Sequence, residues 1–258
     1  MNPKIDLITI GAKDLERTRT FYERGLGCPV ENERDDRVTF RLGPTSSKLA
    51  LRPWDALAGD AGLPGESSGF RGFALSYIVE RAADVDAVIE RAARSGGEVS
   101  KPPRRAFWGY SAYVTDPSGY LWKVASPKRR PLIRKEEPAE AVAAEEIALT
   151  IGVGEMKRAK QFYADGLGCP VKKDYSKFVM FDGGRTPDLA MYQWDALADD
   201  AGVEPAGSGF RGFAMSHIVD SAASVDAVLR AVTSAGGKTL GRNGYFTDPD
   251  GYLWNVTT

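Results

Sequence analysis

The chain has 258 residues, with 34 basic against 35 acidic side chains and a formal net charge of −1. That balance supplies no field to gather nucleic acid or an anionic membrane, which leaves small molecules and proteins as the expected partners. The opening MNPKIDLITIGAKD alternates polar and apolar residues and has no unbroken apolar run of the kind a leader or a membrane span needs, so a cytoplasmic location is expected.

Residues 5–11 alternate as a strand, with Ile8 and Ile10 on one face and Leu7 and Thr9 on the other. Asp14 is placed to cap a helix whose Leu15, Thr18, Phe21 and Tyr22 recur at helical spacing, with Gly25 to end it. Short strands are predicted over 37–42 and 48–52. A glycine-rich stretch then ends at Gly69, and 72–79 reads as a strand again. Asp84 opens a second helix that carries Val85, Val88, Ile89 and Ala92 on one face and stops at Gly96 and Gly97. Strands over 111–114 and 120–125 follow, so strand, helix and three strands occur twice.

The same order then returns. FYERGLGCPV from Phe21 recurs as FYADGLGCPV from Phe162, WDALAGDAG from Trp54 as WDALADDAG from Trp194, SGFRGFA from Ser68 as SGFRGFA from Ser208, and TDPSGYLWKV as TDPDGYLWNV. Two units result, 1–126 and 147–258, joined by a proline- and charge-rich linker over 127–146, and each is large enough to bury its own core. Cys28 and Cys169 occupy matched positions and are expected as small buried residues rather than a disulfide. The second unit lacks eight residues before its last hairpin, where the first carries Trp108 and Tyr110.

ITIGAKDLERTRTFYERGLG, the strand ending in GFALSYIV, the VDAV helix and DPSGYLWKV resemble the vicinal oxygen chelate superfamily, which contains glyoxalase I, extradiol dioxygenases and bleomycin-resistance proteins. The resemblance implies an α+β fold. Four βαβββ modules would form two glyoxalase/bleomycin-resistance-like domains, with curved mixed sheets, helices outside and a ligand or metal in the concavity. It also implies metal-holding corners. By position these fall on Leu7, near Arg52, near Ala74 and on Lys123 in the first unit, and on Ala148, Tyr192, Ala214 and Asn255 in the second. None is a usual metal ligand, so neither metal nor other cofactor is expected.

Lys123 and Arg52 then read as a cationic pair in the first cup, opposite the neutral Asn255 and Tyr192 of the second. They suit either a ligand's carboxylate or phosphate or a structural acid. Trp54, Trp194, Trp108 and Tyr110 are candidates to stack on a ligand at a cup mouth or to seal the interface between modules, whereas Trp122 and Trp254 read as core. His217, the single histidine, shares a face with Phe213, Met215 and Val219 and reads as a buried residue with one hydrogen-bond partner. SGFRGFA shapes the crossover between modules, and DPSG and DPDG are turns.

Function is expected to be metal-free binding of a small organic ligand, as in the bleomycin-resistance branch. The alternative is a lyase, isomerase or dioxygenase of the superfamily. Whether the two modules of one unit share a cup, or pair with modules of the other, is open at this level. So is the choice between a monomer acting as an internal pseudo-dimer and a homodimer.

Overall fold

The computed structural model describes residues 4–34, 36–43, 47–106, 109–127, 142–184, 187–241 and 244–258. The first module runs β1 (Leu7–Ala12), α1 (Leu15–Thr20), β2 (Val30–Arg34), β3 (Arg37–Arg41), β4 (Lys48–Pro53) and α2 (Trp54–Ala61). Asp14 caps α1 by accepting from the Arg17 amide. The helix continues into a wider last turn over Phe21–Gly25 that buries Phe21 and Tyr22. After β5 (Ser67–Gly69), the second module comprises β6 (Phe73–Ile78), α3 (Ala82–Arg94), β7 (Glu98–Ala106), β8 (Gly109–Thr115) and β9 (Leu121–Ser126). The apolar stripe of α3 is buried as its spacing requires.

The second half repeats the pattern. Its elements are β10 (Glu146–Val153), α4 (Met156–Lys160), β11 (Val171–Tyr175), β12 (Phe178–Phe181), β13 (Asp188–Gln193), α5 (Trp194–Ala201) and β14 (Gly207–Gly209), then β15 (Phe213–Ile218), α6 (Ala222–Ser234), β16 (Lys238–Thr239), β17 (Tyr245–Thr247) and β18 (Leu253–Thr257).

Two curved, mixed eight-stranded sheets result, and each takes one module from each half. One has the order β16-β17-β18-β15-β1-β4-β3-β2, and the other β11-β12-β13-β10-β6-β9-β8-β7. β1 runs antiparallel to β15, with Leu7 opposite Ser216, and β10 antiparallel to β6, with Ala148 opposite Ser76. The sequence halves are therefore not the units that close each sheet: the first module pairs with the fourth, and the second with the third. Below they are called the outer-module sheet and the inner-module sheet.

The module junction explains the repeated SGFRGFA. β5 and β14 form a two-stranded ribbon between the halves, with Ser68 hydrogen-bonded to Ser208 at 3.0 Å. Gly72 and Gly212 have φ of 80° and 78°. A β-carbon there would collide with the rings of Trp194 and Trp54 respectively, so only glycine fits. Tyr120 donates to the carbonyls of Gly11 and Gly212, at 2.8 and 2.5 Å, and Tyr252 to those of Gly72 and Gly152, at 2.5 and 2.7 Å. Each tyrosine of a DPxGY turn thus ties its own sheet to the centre of the other.

α2 and α5 were not anticipated from the sequence, where WDALAGDAG and WDALADDAG were recognised as a repeat but assigned no element. Leu57, Ala58 and Ala61, and likewise Leu197, Ala198 and Ala201, are buried, and a left-handed glycine, Gly62 or Gly202, ends each helix. α5 packs on Ala74, Tyr113 and Leu121, the face of the inner-module sheet opposite the one that holds Leu75, Val114 and Trp122. It therefore crosses the inside of the cup. No described helix is long and apolar enough to cross a membrane.

Candidate functional site: two cups with swapped cations

Strand register places the residues that line each cup. Across the inner-module sheet one row reads Asp188, Ala148, Ser76, Lys123, Tyr113. The matching row of the outer-module sheet reads Lys48, Leu7, Ser216, Asn255, Tyr245. Two expected corners move: Ser76 and Ser216 stand in the row, in place of Ala74 and Ala214 two residues before them. Arg52 and Tyr192 lie four residues beyond it, opposite Gly11 and Gly152. Period two kept all four on the correct face, but sequence spacing alone could not fix their height along the strands.

Asp188 is the sole carboxylate in either row, and it is already bound to Lys172 at 2.7 Å and to the Gly183 amide at 2.9 Å. The two lysines, two serines, two tyrosines, one asparagine and two apolar residues that make up the rest of the rows supply no further carboxylate or imidazole, so these rows do not suit a divalent cation. Among the described residues no three His, Cys, Asp or Glu side chains converge.

The two cations do not share a cup, which corrects the expected cationic pair. Lys123 points into the inner-module cup and meets Asp200 of α5 at 2.6 Å. Tyr113 donates to the same carboxylate at 2.5 Å, and Lys101 of β7 caps the α5 carbonyls of Asp199 and Asp200 at 3.0 and 2.5 Å. Arg52 points into the outer-module cup and pairs with Asp60 of α2 and with Asp36. Asp60 and Asp200 are repeat equivalents. Each cup therefore holds one cation on the same aspartate, supplied by β9 in one and β4 in the other, and the partner positions carry Tyr192 and Asn255. The mismatches between the halves compensate because each cup is built across them.

The electrostatics follow from crowding. Burial pushes the Tyr113 hydroxyl well up, and the adjacent Asp200 charge adds to it. Burial alone would raise Asp200, but Lys123, Tyr113 and Lys101 outweigh it and hold the carboxyl below its ordinary value. Lys101 is lowered by burial first and then by Arg104 and Lys123, against the pull of Asp200 and Asp199. In the inner-module cup Lys123 thus pairs with the Asp200 carboxylate while Lys101 holds backbone carbonyls, whereas Arg52 has two aspartates of its own.

The aromatic candidates separate. Trp54 is buried against Phe210 at 5.3 Å and donates to the Gly65 carbonyl at 2.8 Å. Trp194 repeats this with Phe70 at 5.1 Å and Pro205 at 2.8 Å. Both therefore seal the junction between modules. Tyr110 is not on a loop: it lies in β8 on the outer face and donates to Asp86 at 2.8 Å, because alternation from Tyr113 puts it on the α3 side. Trp108 lies outside the described residues. His217 is half-buried near the end of β15, with Asp6 at 3.2 Å, and Cys28 and Cys169 are buried thiols that burial pushes up to about 12.

Sequence reasoning missed Arg71 and Arg211. The guanidinium of Arg71 lies between the rings of Trp54 and Tyr120, at 4.8 and 4.4 Å, and that of Arg211 between Trp194 and Tyr252, at 4.8 and 4.3 Å. Each lines a cavity where cup meets ribbon. One is about 230 Å³, with Phe70, Phe73, Leu121 and Val203, and the other about 290 Å³, with Phe210, Phe213, Leu253 and Leu63. The identity of the two SGFRGFA segments was the available signal.

The chain belongs to the Glyoxalase/Bleomycin resistance protein/Dioxygenase superfamily, whose profile matches residues 4–124 and again 147–256. Among solved structures it is similar to glyoxalase I from Zea mays, with 21% identity over 99% of this chain and 92% of that one and a TM-score of 0.61. A glyoxalase-related enzyme from Fulvimarina pelagi is 24% identical, over 55% of this chain and 99% of that one, with a TM-score of 0.43. At 21% identity the likeness to the Zea mays enzyme shows the fold. No curated protein matches the chain.

Proposed function

We propose that the protein binds a small organic molecule without a metal, in the manner of the bleomycin-resistance branch of its superfamily, and that the inner-module cup is the principal site. Lys123 and Tyr192 are the polar groups that meet the ligand there, with Arg52 and Asn255 in the corresponding places of the outer-module cup. The observation that carries this reading is the Lys123 ammonium on a concave, partly apolar face, where it meets the Asp200 carboxylate while Lys101 holds the α5 backbone carbonyls beside it. A ligand with an acidic group pairs with Lys123 alongside Asp200, while the amphipathic α5 forms one wall. The rows of the cups supply polar and cationic groups in place of metal donors, which favours binding through hydrogen bonds and charge.

A thermal-shift screen of organic acids and natural products, run with EDTA and with added divalent metal, tests it. A ligand at 100 times its Kd is expected to stabilise the fold by about 2.7 kcal/mol. The shift is expected to be the same in both buffers, and Lys123→Met is expected to weaken binding about tenfold or more through loss of a charge-assisted hydrogen bond. Stabilisation that requires metal would contradict the proposal.

A further inference from the structure

The two cavities beside the ribbon are related by the repeat, but their arginines are not in the same state. Arg211 donates to the Arg71 carbonyl at 3.0 Å and to the Asp250 carbonyl at 2.8 Å. Arg71 has a buried Nη1 with no hydrogen-bond partner among the described residues. Asp116, which feels its charge, is turned elsewhere: it accepts from the Tyr22 hydroxyl and from the amides of Ser118 and Tyr120. Glu204 reaches the cavity only from the exposed rim. A guanidinium fixed between two aromatic faces, with Nη2 beside Gly119 of the cavity wall, is a preformed half of a carboxylate fork.

We infer that the Arg71 cavity is a second binding site, which takes a small carboxylate with an aromatic or branched apolar body. The charge is set by Arg71, and the body by the walls of Phe70, Phe73, Leu121 and Val203. At about 230 Å³ the space admits a molecule the size of a single-ring acid, below the usual range for larger ligands. At Arg211 both terminal nitrogens are already engaged by backbone carbonyls, so the inference does not extend to the equivalent cavity. This inference does not rest on the cup proposal, because it uses none of the Lys123, Lys101 and Asp200 cluster.

Benzoate and its neutral isostere benzamide are the probes, read by calorimetric titration and by tryptophan fluorescence, since Trp54 stacks on Arg71. Saturable benzoate binding with a fluorescence change, and affinity for benzamide at least about tenfold weaker, is the expected result. Arg71→Met is expected to abolish it. Because Arg71 also supports Trp54 and Tyr120, a second variant, Val203→Trp, fills the cavity from the loop and is expected to abolish binding with Arg71 in place. Three results would overturn the inference: no benzoate binding by the native chain, equal binding of benzamide, or undiminished binding by Val203→Trp. A fourth would be loss of benzoate in Lys123→Met with retention in Arg71→Met, which would assign the anion to the cup.

Discussion

Replacing Trp122 by alanine is expected to lower the unfolding free energy by about 3–5 kcal/mol, the range for emptying a buried tryptophan site. Its side chain is fully buried on the outer face of the inner-module sheet, edge-on to Tyr22 at 5.7 Å. Its Nε1 donates to the Tyr22 hydroxyl at 3.2 Å, and that hydroxyl donates to Asp116 at 3.0 Å. The same chain of contacts, Trp254 to Tyr163 to Asp248, is built in the other sheet at 3.2 and 2.6 Å, so Trp254→Ala is expected to cost a similar amount. Tyr22 lies in the last helical turn of the first module and packs on Phe40 of the outer-module sheet at 5.6 Å, whereas Trp122 belongs to the inner-module sheet. The tryptophan therefore joins the sheets in addition to filling a core. Displacement of the urea midpoint at unchanged slope measures the effect, and a loss below about 1 kcal/mol would show that the ring does not have this role.

The second large effect concerns pH. Burial raises Asp116 and Asp248 from an ordinary 3.8 to about 6, although the Tyr22 and Tyr163 hydroxyls and the turn amides pull them partly back. A carboxyl raised by folding binds more protons in the native state than in the unfolded one between those two values. Its contribution to stability therefore grows as pH falls through 6 and is complete below 3.8, the reverse of a salt-bridged acid. Asp6 and Asp200, which are held below their ordinary values, act in the opposite sense. Asp116→Asn with Asp248→Asn keeps an oxygen for the turn amides but removes the titration. Between pH 7 and pH 4.5 the native chain is expected to gain about 2 kcal/mol per site relative to this variant. Chemical denaturation of both proteins across that interval measures the difference, and parallel curves would contradict it.

Much of the fold was legible because its local signals agree. Alternation in LITIGA, the Asp14 cap and the spacing of Val85, Val88, Ile89 and Ala92 each match the element found. The strand Val30–Arg34 was missed because VENER is almost wholly exposed at a sheet edge and has no apolar alternation to read. The helices of WDALAGDAG and WDALADDAG were missed because two turns of alanine and glycine look like a connection until the cup supplies a partner.

The candidate site was legible residue by residue, but not as an assembly. Arg52, Lys123, Tyr192 and Asn255 were assigned to the inner faces, where they lie, but grouped by sequence half. Pairing of the modules is decided by long-range strand contacts such as Ile10 with Phe213, and nothing in the local pattern encodes it. Once the pairing is known, the two mismatches between the halves, Lys123 against Asn255 and Arg52 against Tyr192, become one exchange of a cation between opposite walls of two similar cups.

That exchange depends on assembly of the cups across the halves, which strand cross-linking tests directly. Ser76 faces Ala148 across β6 and β10, and opposed residues of neighbouring antiparallel strands lie within disulfide reach. The variant carrying Ser76→Cys and Ala148→Cys is expected to close a disulfide on mild oxidation, seen as the loss of two hydrogen atoms in intact mass with Cys28 and Cys169 left as thiols. Were each half to close its own cup, Leu7 would face Ser76 in the way it now faces Ser216. A disulfide in the variant carrying Leu7→Cys and Ser76→Cys, with none between positions 76 and 148, would contradict the account.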